Sequence, residues 1–566
     1  MLNKLYTARG ESLVGTPWEK YPRPQLRRNS YLSLNGTWKL TVSGELMPFS
    51  VEVPFCPESL LSGVNRHFPE GSMLCYQRRF RLPQGFNKGR VLLHVGAADQ
   101  VAEVFLNHHP VGRHEGGYTA FTLDITDALS EENVLEICCV DNLHDRSFPY
   151  GKQTLRRGGM WYTPVSGIWQ SVWLESVPTR YIQDLSIENR GYAVHVTINP
   201  ALNGTVQVEE LGEYPLQNGK AVIEPKNPHL WSPEDPYLYS FRLTAEEDTI
   251  DSYFAVRTIE TKVINGIPRL CLNGKPYFFH GLLDQGYWPD GLYTPAAPEC
   301  YADDIAAMKK LGFNTLRKHI KVEAEEFYYQ CDKLGMLVFQ DMVNNGDYRF
   351  LRDTAIPTVR IQKCADKHKH KDPKTRARFL QSMEQTVAQL KNHPCIVYWT
   401  VFNEGWGQFD SDEVYQKLRA LDDTRIIDTT SGWFRRRCSD VESLHIYFGP
   451  WNQIRPAKKP VVLSEFGGYT LAVAGHLFNP DNVYGYKACK DQADFQNKLS
   501  ALYQNKVLPA IAKGLCGAIC TQVSDIEDEI NGLLTYDRKL CKADQHAMTA
   551  LASQLQEQLK KDCQPK

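Results

Sequence analysis

The chain has 566 residues, of which 42% are hydrophobic and 23% charged, and a formal net charge of −2. That length exceeds one ordinary core and implies roughly two to four domains. The near-neutral charge excludes the basic footprint of a nucleic-acid or anionic-membrane binder, and no apolar run is long enough for a helical membrane span, so neither kind of partner is expected. The opening stretch, MLNKLYTARGESLVGTPW, has no apolar core of a signal peptide, and a cytoplasmic protein is expected. The 15 cysteines are odd in number and scattered, with no CxxC pair. Cys138 and Cys139 lie in a strand pattern, and Cys395 and Cys520 in buried runs. Free thiols are expected rather than a disulfide framework, and neither a metal nor a cofactor.

In chain order, residues 29–177 show short alternating runs such as Gly36-Thr37-Trp38-Lys39-Leu40 and Val101 to Leu106, punctuated by Pro54, Pro57, Pro83, Asn107 and Gly112. This rhythm predicts a jelly-roll β-sandwich over 1–177. Trp169 and Trp173 read as its core, whereas Trp161, beside Gly158-Gly159, reads as a loop residue open to function. A second set of short strands predicts an immunoglobulin-like sandwich over 178–259. From 260 to 566 buried runs alternate with amphipathic helices. Strands are expected over 277–283, 314–319, 336–340, 396–402, 426–430, 443–447, 461–464 and 517–522. Helices are expected over 301–311, 323–334, 375–391, 411–421, 490–512 and 542–560. Eight such units predict a (β/α)₈ barrel. Two long loops interrupt it. Residues 344–374 contain His368 and His370 among lysines, which favours a solvated loop over a metal site. Residues 467–486 are rich in glycine and aromatics and suit a lid.

The stretch from Leu390 to Glu404, LKNHPCIVYWTVFNE, organises the barrel: a helix tail breaks at His393-Pro394, a buried strand follows, and Asn403 and Glu404 stand at its far end. Catalytic groups of such barrels sit at the C-terminal ends of strands. The seventh strand ends in Ser464-Glu465-Phe466-Gly467, so Glu465 shares that face. Carboxylates about 5 to 5.5 Å apart are what a retaining glycosidase requires. Asp284, Asp341, Asp428 and Asp525 also end strands and stay candidates by spacing alone. Arg317 would keep a carboxylate ionised and Tyr447 would hydrogen-bond it. Trp406, Trp433 and Trp451 follow strand ends where an indole can stack on a pyranose.

These residues resemble glycoside hydrolase family 2, the family of β-galactosidases, β-glucuronidases and β-mannosidases. The run from Leu390 to Cys395 with Trp399 and Asn403-Glu404 resembles its acid/base signature, with Thr400 where Gly or Ser is usual. Asn314-Thr315-Leu316-Arg317, Phe327-Tyr328, Asp332 and Gly335 resemble its other signature, and YTPVSGIWQSVWLE (162–175) resembles its N-terminal sandwich. The resemblance implies that Glu404 is the acid/base, Glu465 the nucleophile and Asn403 a contact to the sugar 2-hydroxyl. The chain departs from the family where His-Tyr-Pro commonly follows the arginine, since Lys318-His319-Ile320-Lys321 stands there. It departs again at Glu529-Ile530-Asn531, where β-glucuronidases carry Asn-x-Lys, and at Thr521-Gln522, where many members present a Trp.

The expected activity is therefore a retaining, β-galactosidase-like exo-β-glycosidase without a cofactor. Asn403, Arg317, His319, Tyr447, Trp433, Asp284 and Lys318 are the expected substrate-binding residues. A β-uronidase, reading its carboxylate through Lys318, His319 or Lys321, is the alternative within enzymes, and a sugar-binding protein on a silent barrel the alternative outside them. A small carbohydrate is the expected partner, with homo-oligomer formation left open.

Overall fold

The computed structural model describes residues 2–358, 366–434, 436–449 and 451–565. The first domain is a sandwich of a six-stranded and a four-stranded sheet, both antiparallel. Strict alternation along Gly36–Val42 sends Trp38, Leu40 and Val42 inward, where they meet Val104 and Ile137. One expectation is corrected here. Cys75 and Cys138 are register partners on the neighbouring strands Met73–Phe80 and Asn133–Val140, with Cα atoms 4.0 Å apart, and form a disulfide. Both point away from the core that takes Cys139, and their separation of 63 positions hid the pairing in the sequence.

A second sandwich pairs a three-stranded with a four-stranded antiparallel sheet, around Ile187, Val196, Phe241 and Ile250. The short antiparallel strands Ile259–Ile264, Ile267–Leu272 and Lys275–Pro276 lead from it into the barrel.

The barrel strands are β1 (Phe279–Asp284), β2 (Thr315–Lys318), β3 (Leu337–Asp341), β4 (Ile396–Asn403), β5 (Ile426–Ser431), β6 (Glu442–Ile446), β7 (Val461–Gly467) and β8 (Leu515–Thr521). They pair in parallel in the order 5-4-3-2-1-8-7-6, and nearly all their residues are buried, as a sheet covered on both faces requires. Capping carboxylates start several barrel helices: Asp372 accepts from Thr375 N at the head of Pro373–Leu390, and Asp544 from Ala547 N at the head of Gln545–Asp562. The start of β4 is set by buried Asp332, which bonds His393 Nδ1 and Cys395 N, both at 2.7 Å, and Tyr253 OH of the second sandwich at 2.8 Å.

Both long loops are partly tied down in their described parts. In the loop after β7, Tyr484 N donates to Asp528 O and Tyr484 O accepts from Ile530 N, both in the segment following β8, and the Tyr486 ring lies 4.5 Å from Tyr447. In the loop after β3, residues 359–365 and the side chain of His368 lie outside the described residues. Its neighbour Asp366 is buried and accepts hydrogen bonds from Gln408 and Ser411.

Candidate active site

The site is built on Arg317. Successive residues of β2 face opposite sides, so Arg317 points into the barrel and Lys318 away from it. The buried guanidinium donates from Nε to Asp341 Oδ1 (3.0 Å) and from Nη1 to Glu465 Oε1 (3.0 Å) and Ser464 O (3.1 Å). Its Nη2 donates to Asn403 Oδ1 (2.9 Å). Because arginine only donates, the Asn403 oxygen is committed and its NH₂ remains for a sugar hydroxyl. One cation thereby fixes groups from β3, β4 and β7.

Glu465 also accepts from Tyr447 OH at 2.7 Å, and Tyr447 is steadied by Thr521 Oγ1 at 2.8 Å. Burial works against the Glu465 charge, but the Arg317 guanidinium and the Tyr447 hydroxyl outweigh it and hold the carboxyl well below the usual range. It is ionised at neutral pH. Glu404 follows β4 in a left-handed conformation (φ 54°) and is followed by Gly405, also left-handed (φ 75°). Its N–H bonds Ser431 O at 3.0 Å. Its carboxylate bonds His445 Nδ1 at 2.8 Å. One oxygen of Glu404, one of Glu465 and a His445 nitrogen lie within 4.8 Å of one another.

His319 reaches the cluster through Asp341, with Nδ1 2.8 Å from Oδ2. Burial pushes its pKa down despite that carboxylate, so the ring is neutral. Trp433 is buried edge-on to His445, with ring centroids 5.5 Å apart, and its indole N–H has no protein partner among the described residues. The structure thus brings together Glu404, Glu465, Asn403, Arg317, His319, Tyr447 and Trp433.

Asp284 and Lys318 are not brought there. Lys318 Nζ is spent on Asp284 Oδ2 (2.7 Å) and Glu323 Oε1 (3.0 Å), and Lys321 on Glu323 (2.9 Å) and two backbone carbonyls. The cause is the alternation of β2, whose outward face meets the helices. Asp428 is buried, with its pKa pushed up to about 6 by that burial. Trp406 packs against Tyr150, Trp161 and Tyr348. Trp451 packs against Phe466.

His445 and Lys152 escaped the sequence reading, whereas Trp161 is open to function there. His445 lies in β6, two residues before Tyr447, which follows the strand, and that spacing was a usable signal. Lys152 and Trp161 come from the first sandwich, whose loop crosses the barrel mouth: Tyr150 bonds Asn344 O and Gly346 O, and Tyr162 OH bonds Glu529. Lys152 Nζ lies 5.6 Å from the Trp161 ring centroid, with no hydrogen-bonding partner among the described residues. Buried Glu529 also accepts from Asn531 Nδ2 at 2.9 Å, and its pKa is raised by burial. Among the described residues, Glu404, His445 and Glu465 are also the trio whose donor atoms come close enough to hold a metal ion. The Arg317 cation beside Glu465 opposes one there.

This arrangement can attack with one carboxylate and move a proton with the other. The chain is also similar to known glycosidases. The chain is 24% identical over 374 residues to a β-galactosidase of Thermoanaerobacter pseudethanolicus, an alignment covering 61% of this chain and 46% of that one, so it spans about half that relative's length. It is 25% identical over 479 residues to a β-glucuronidase of Chlorocebus aethiops, covering 72% and 70%. It shares its fold with the solved β-D-glucuronidase of Dictyoglomus thermophilum at a TM-score of 0.73 and 21% identity, over 96% of this chain and 98% of that one. Family models match in three consecutive pieces. These are the galactose-binding-domain-like region of glycosyl hydrolase 2 at 66–148, the glycosyl hydrolases family 2 domain at 181–257 and the family's TIM barrel domain at 266–556. With that barrel match spanning more than half of its length, the chain belongs to glycoside hydrolase family 2.

Proposed function

We propose that this protein is a retaining exo-β-glycosidase that releases terminal, β-linked neutral sugars in the manner of a β-galactosidase. The observation that carries the mechanism is the carboxylate pair, with oxygens of Glu404 and Glu465 within 4.8 Å. That spacing leaves no room for the water an inverting enzyme places between its carboxylates, and it suits a nucleophile beside an acid/base. Glu465, held ionised, attacks the anomeric carbon while Glu404 protonates the departing oxygen. Glu404 then takes a proton from the water that hydrolyses the glycosyl-enzyme. Asn403 is positioned to donate to the 2-hydroxyl.

A neutral sugar is favoured because Lys318 and Lys321 are consumed in internal ion pairs, and because buried Glu529 stands where β-glucuronidases carry a cation motif. A sugar carboxylate beside Glu529 would meet like charge. The second reading, a β-uronidase, is favoured by Lys152, a cation without an ion pair among the described residues at the barrel mouth, and by the relatives named as β-glucuronidases. A panel of p-nitrophenyl glycosides, with the first-formed anomer followed by NMR, tests both. Turnover of neutral β-hexosides with a β-configured first product is expected. Turnover of uronides alone would shift the assignment to the second reading, and an inverted product would overturn the mechanism.

A further inference from the structure

We propose that His445 is the positioning residue for Glu404: it holds one oxygen of the acid/base carboxylate through its Nδ1–H and leaves the other to exchange the proton with the substrate. The inference rests on the acid/base role proposed for Glu404.

The seating of this imidazole is unusually complete. Its side chain is wholly buried. A register irregularity between Leu444 and His445, where β6 pairs with β7, re-aims the ring toward the barrel axis. Gly432 lies under it so closely that a Cβ there would fall 2.4 Å from the ring carbon Cγ. Trp433 closes one side. Both ring nitrogens are engaged: Nδ1 with Glu404 Oε1 at 2.8 Å, and Nε2 with Ser431 Oγ at 3.0 Å, Arg317 Nη1 at 3.4 Å and Glu465 Oε1 at 3.5 Å. The charged and titratable groups facing it are therefore Glu404, Glu465 and Arg317, with Asp428 acting from β5.

The tautomer follows from these partners. Arg317 carries only donors and meets Nε2 only where that nitrogen accepts, which places the ring proton on Nδ1; the Ser431 hydroxyl, which donates to Ser464 Oγ at 3.1 Å, does not decide it. Nδ1–H then donates to Glu404 Oε1. When Glu404 is protonated, its proton occupies Oε2, the oxygen free to meet the leaving group. As the glycosidic bond breaks, that proton passes to the departing oxygen, and His445 keeps its own throughout. In the second step Oε2 takes the proton of water while Nδ1–H continues to steady the carboxylate.

Two variants and a spectrum test this. His445→Leu removes the donor, and kcat/KM on a poor-leaving-group disaccharide should fall about tenfold more than on an activated aryl glycoside, because only the former needs the positioned proton. His445→Asn can place an amide N–H where Nδ1–H stood, and should restore most of that difference. Independently of activity, ¹⁵N-histidine NMR, assigned by difference from His445→Asn, should show His445 with a protonated Nδ1 and an unprotonated Nε2. Glu404→Gln should shift the Nδ1 resonance. Equal losses on the two substrates in His445→Leu, or a proton on Nε2, would overturn the inference. Absence of hydrolysis on any glycoside would instead overturn the proposed function, and the NMR result would still decide the tautomer and the contact with Glu404.

Discussion

Glu404 adopts a left-handed backbone that costs a non-glycine residue about 1–2 kcal/mol, and the cost is met by the surrounding bonds to Ser431 and His445. The turn swings its carboxylate out of the β4 direction toward Glu465. Its proton matters only where the departing oxygen is a poor leaving group, because a nitrophenolate leaves unaided and a sugar alkoxide does not. For Glu404→Ala, the loss on a disaccharide should exceed the loss of first-step turnover on an activated aryl glycoside by on the order of 10². Single-turnover kinetics on the two substrates measure this, and equal losses would return Glu404 to a structural role. Arg317 works differently: it touches Asp341, Glu465 and Asn403 at once, so its contribution is the shared geometry of three strands as much as its charge.

At the scale of elements, the ends of β5 and β6 are built for each other. Gly432 (φ 81°) provides both a left-handed backbone and the empty space that the His445 ring occupies. Gly475 has nearly the same backbone (φ 83°) in the loop after β7, with nothing within 4 Å of where its Cβ would stand. Gly475→Ala should therefore cost only the backbone strain, about 1 kcal/mol, with activity retained. Gly432→Ala should cost more and also depress turnover, since the ring that holds Glu404 must move. Paired urea titrations and kcat measurements check the contrast, and equal behaviour of the two variants would mean that the ring is free to shift.

Across the whole molecule, the domains are joined by buried polar hubs rather than by apolar contact alone. Arg28 donates to Asp248 Oδ1 and Oδ2 (3.1 and 2.7 Å), Glu175 Oε2 (2.9 Å) and Ile182 O (2.6 Å), tying the N-terminal segment to both sandwiches. Burial disfavours the charge of Glu175, yet Arg23, His94 and Arg28 hold its pKa far below the usual range. Removing one partner leaves buried carboxylates uncompensated, so Arg28→Met should destabilise by about 3–5 kcal/mol at pH 7. Glu175 has a depressed folded pKa. Its contribution is present above the unfolded carboxylate value, about 4.3, and fades as pH falls toward the folded value. The gap between wild type and Arg28→Met should therefore narrow below about pH 4. Guanidinium unfolding at pH 7 and pH 3.5 measures this, and a constant gap would remove Glu175 from the account.

Residue patterns alone determine the classes of layer and the strand ends that bear carboxylates. Alternating short runs demand half-buried antiparallel strands, continuous apolar runs between amphipathic helices demand a covered parallel sheet, and a polar residue closing such a run must stand at the barrel mouth, as Asn403, Glu404 and Glu465 do. Which way each side chain turns was left to tertiary structure. Arg317 and Lys318 are neighbours of similar charge, and only the closure of the barrel decides that one faces Glu465 and the other Asp284 and Glu323. The disulfide of Cys75 with Cys138 depends on strand register, the aim of His445 on an irregularity in β6, and the approach of Lys152 and Trp161 to the mouth on the docking of a different domain. Each of these is a long-range pairing. Local periodicity records whether a position is buried, but carries no information on what lies opposite it.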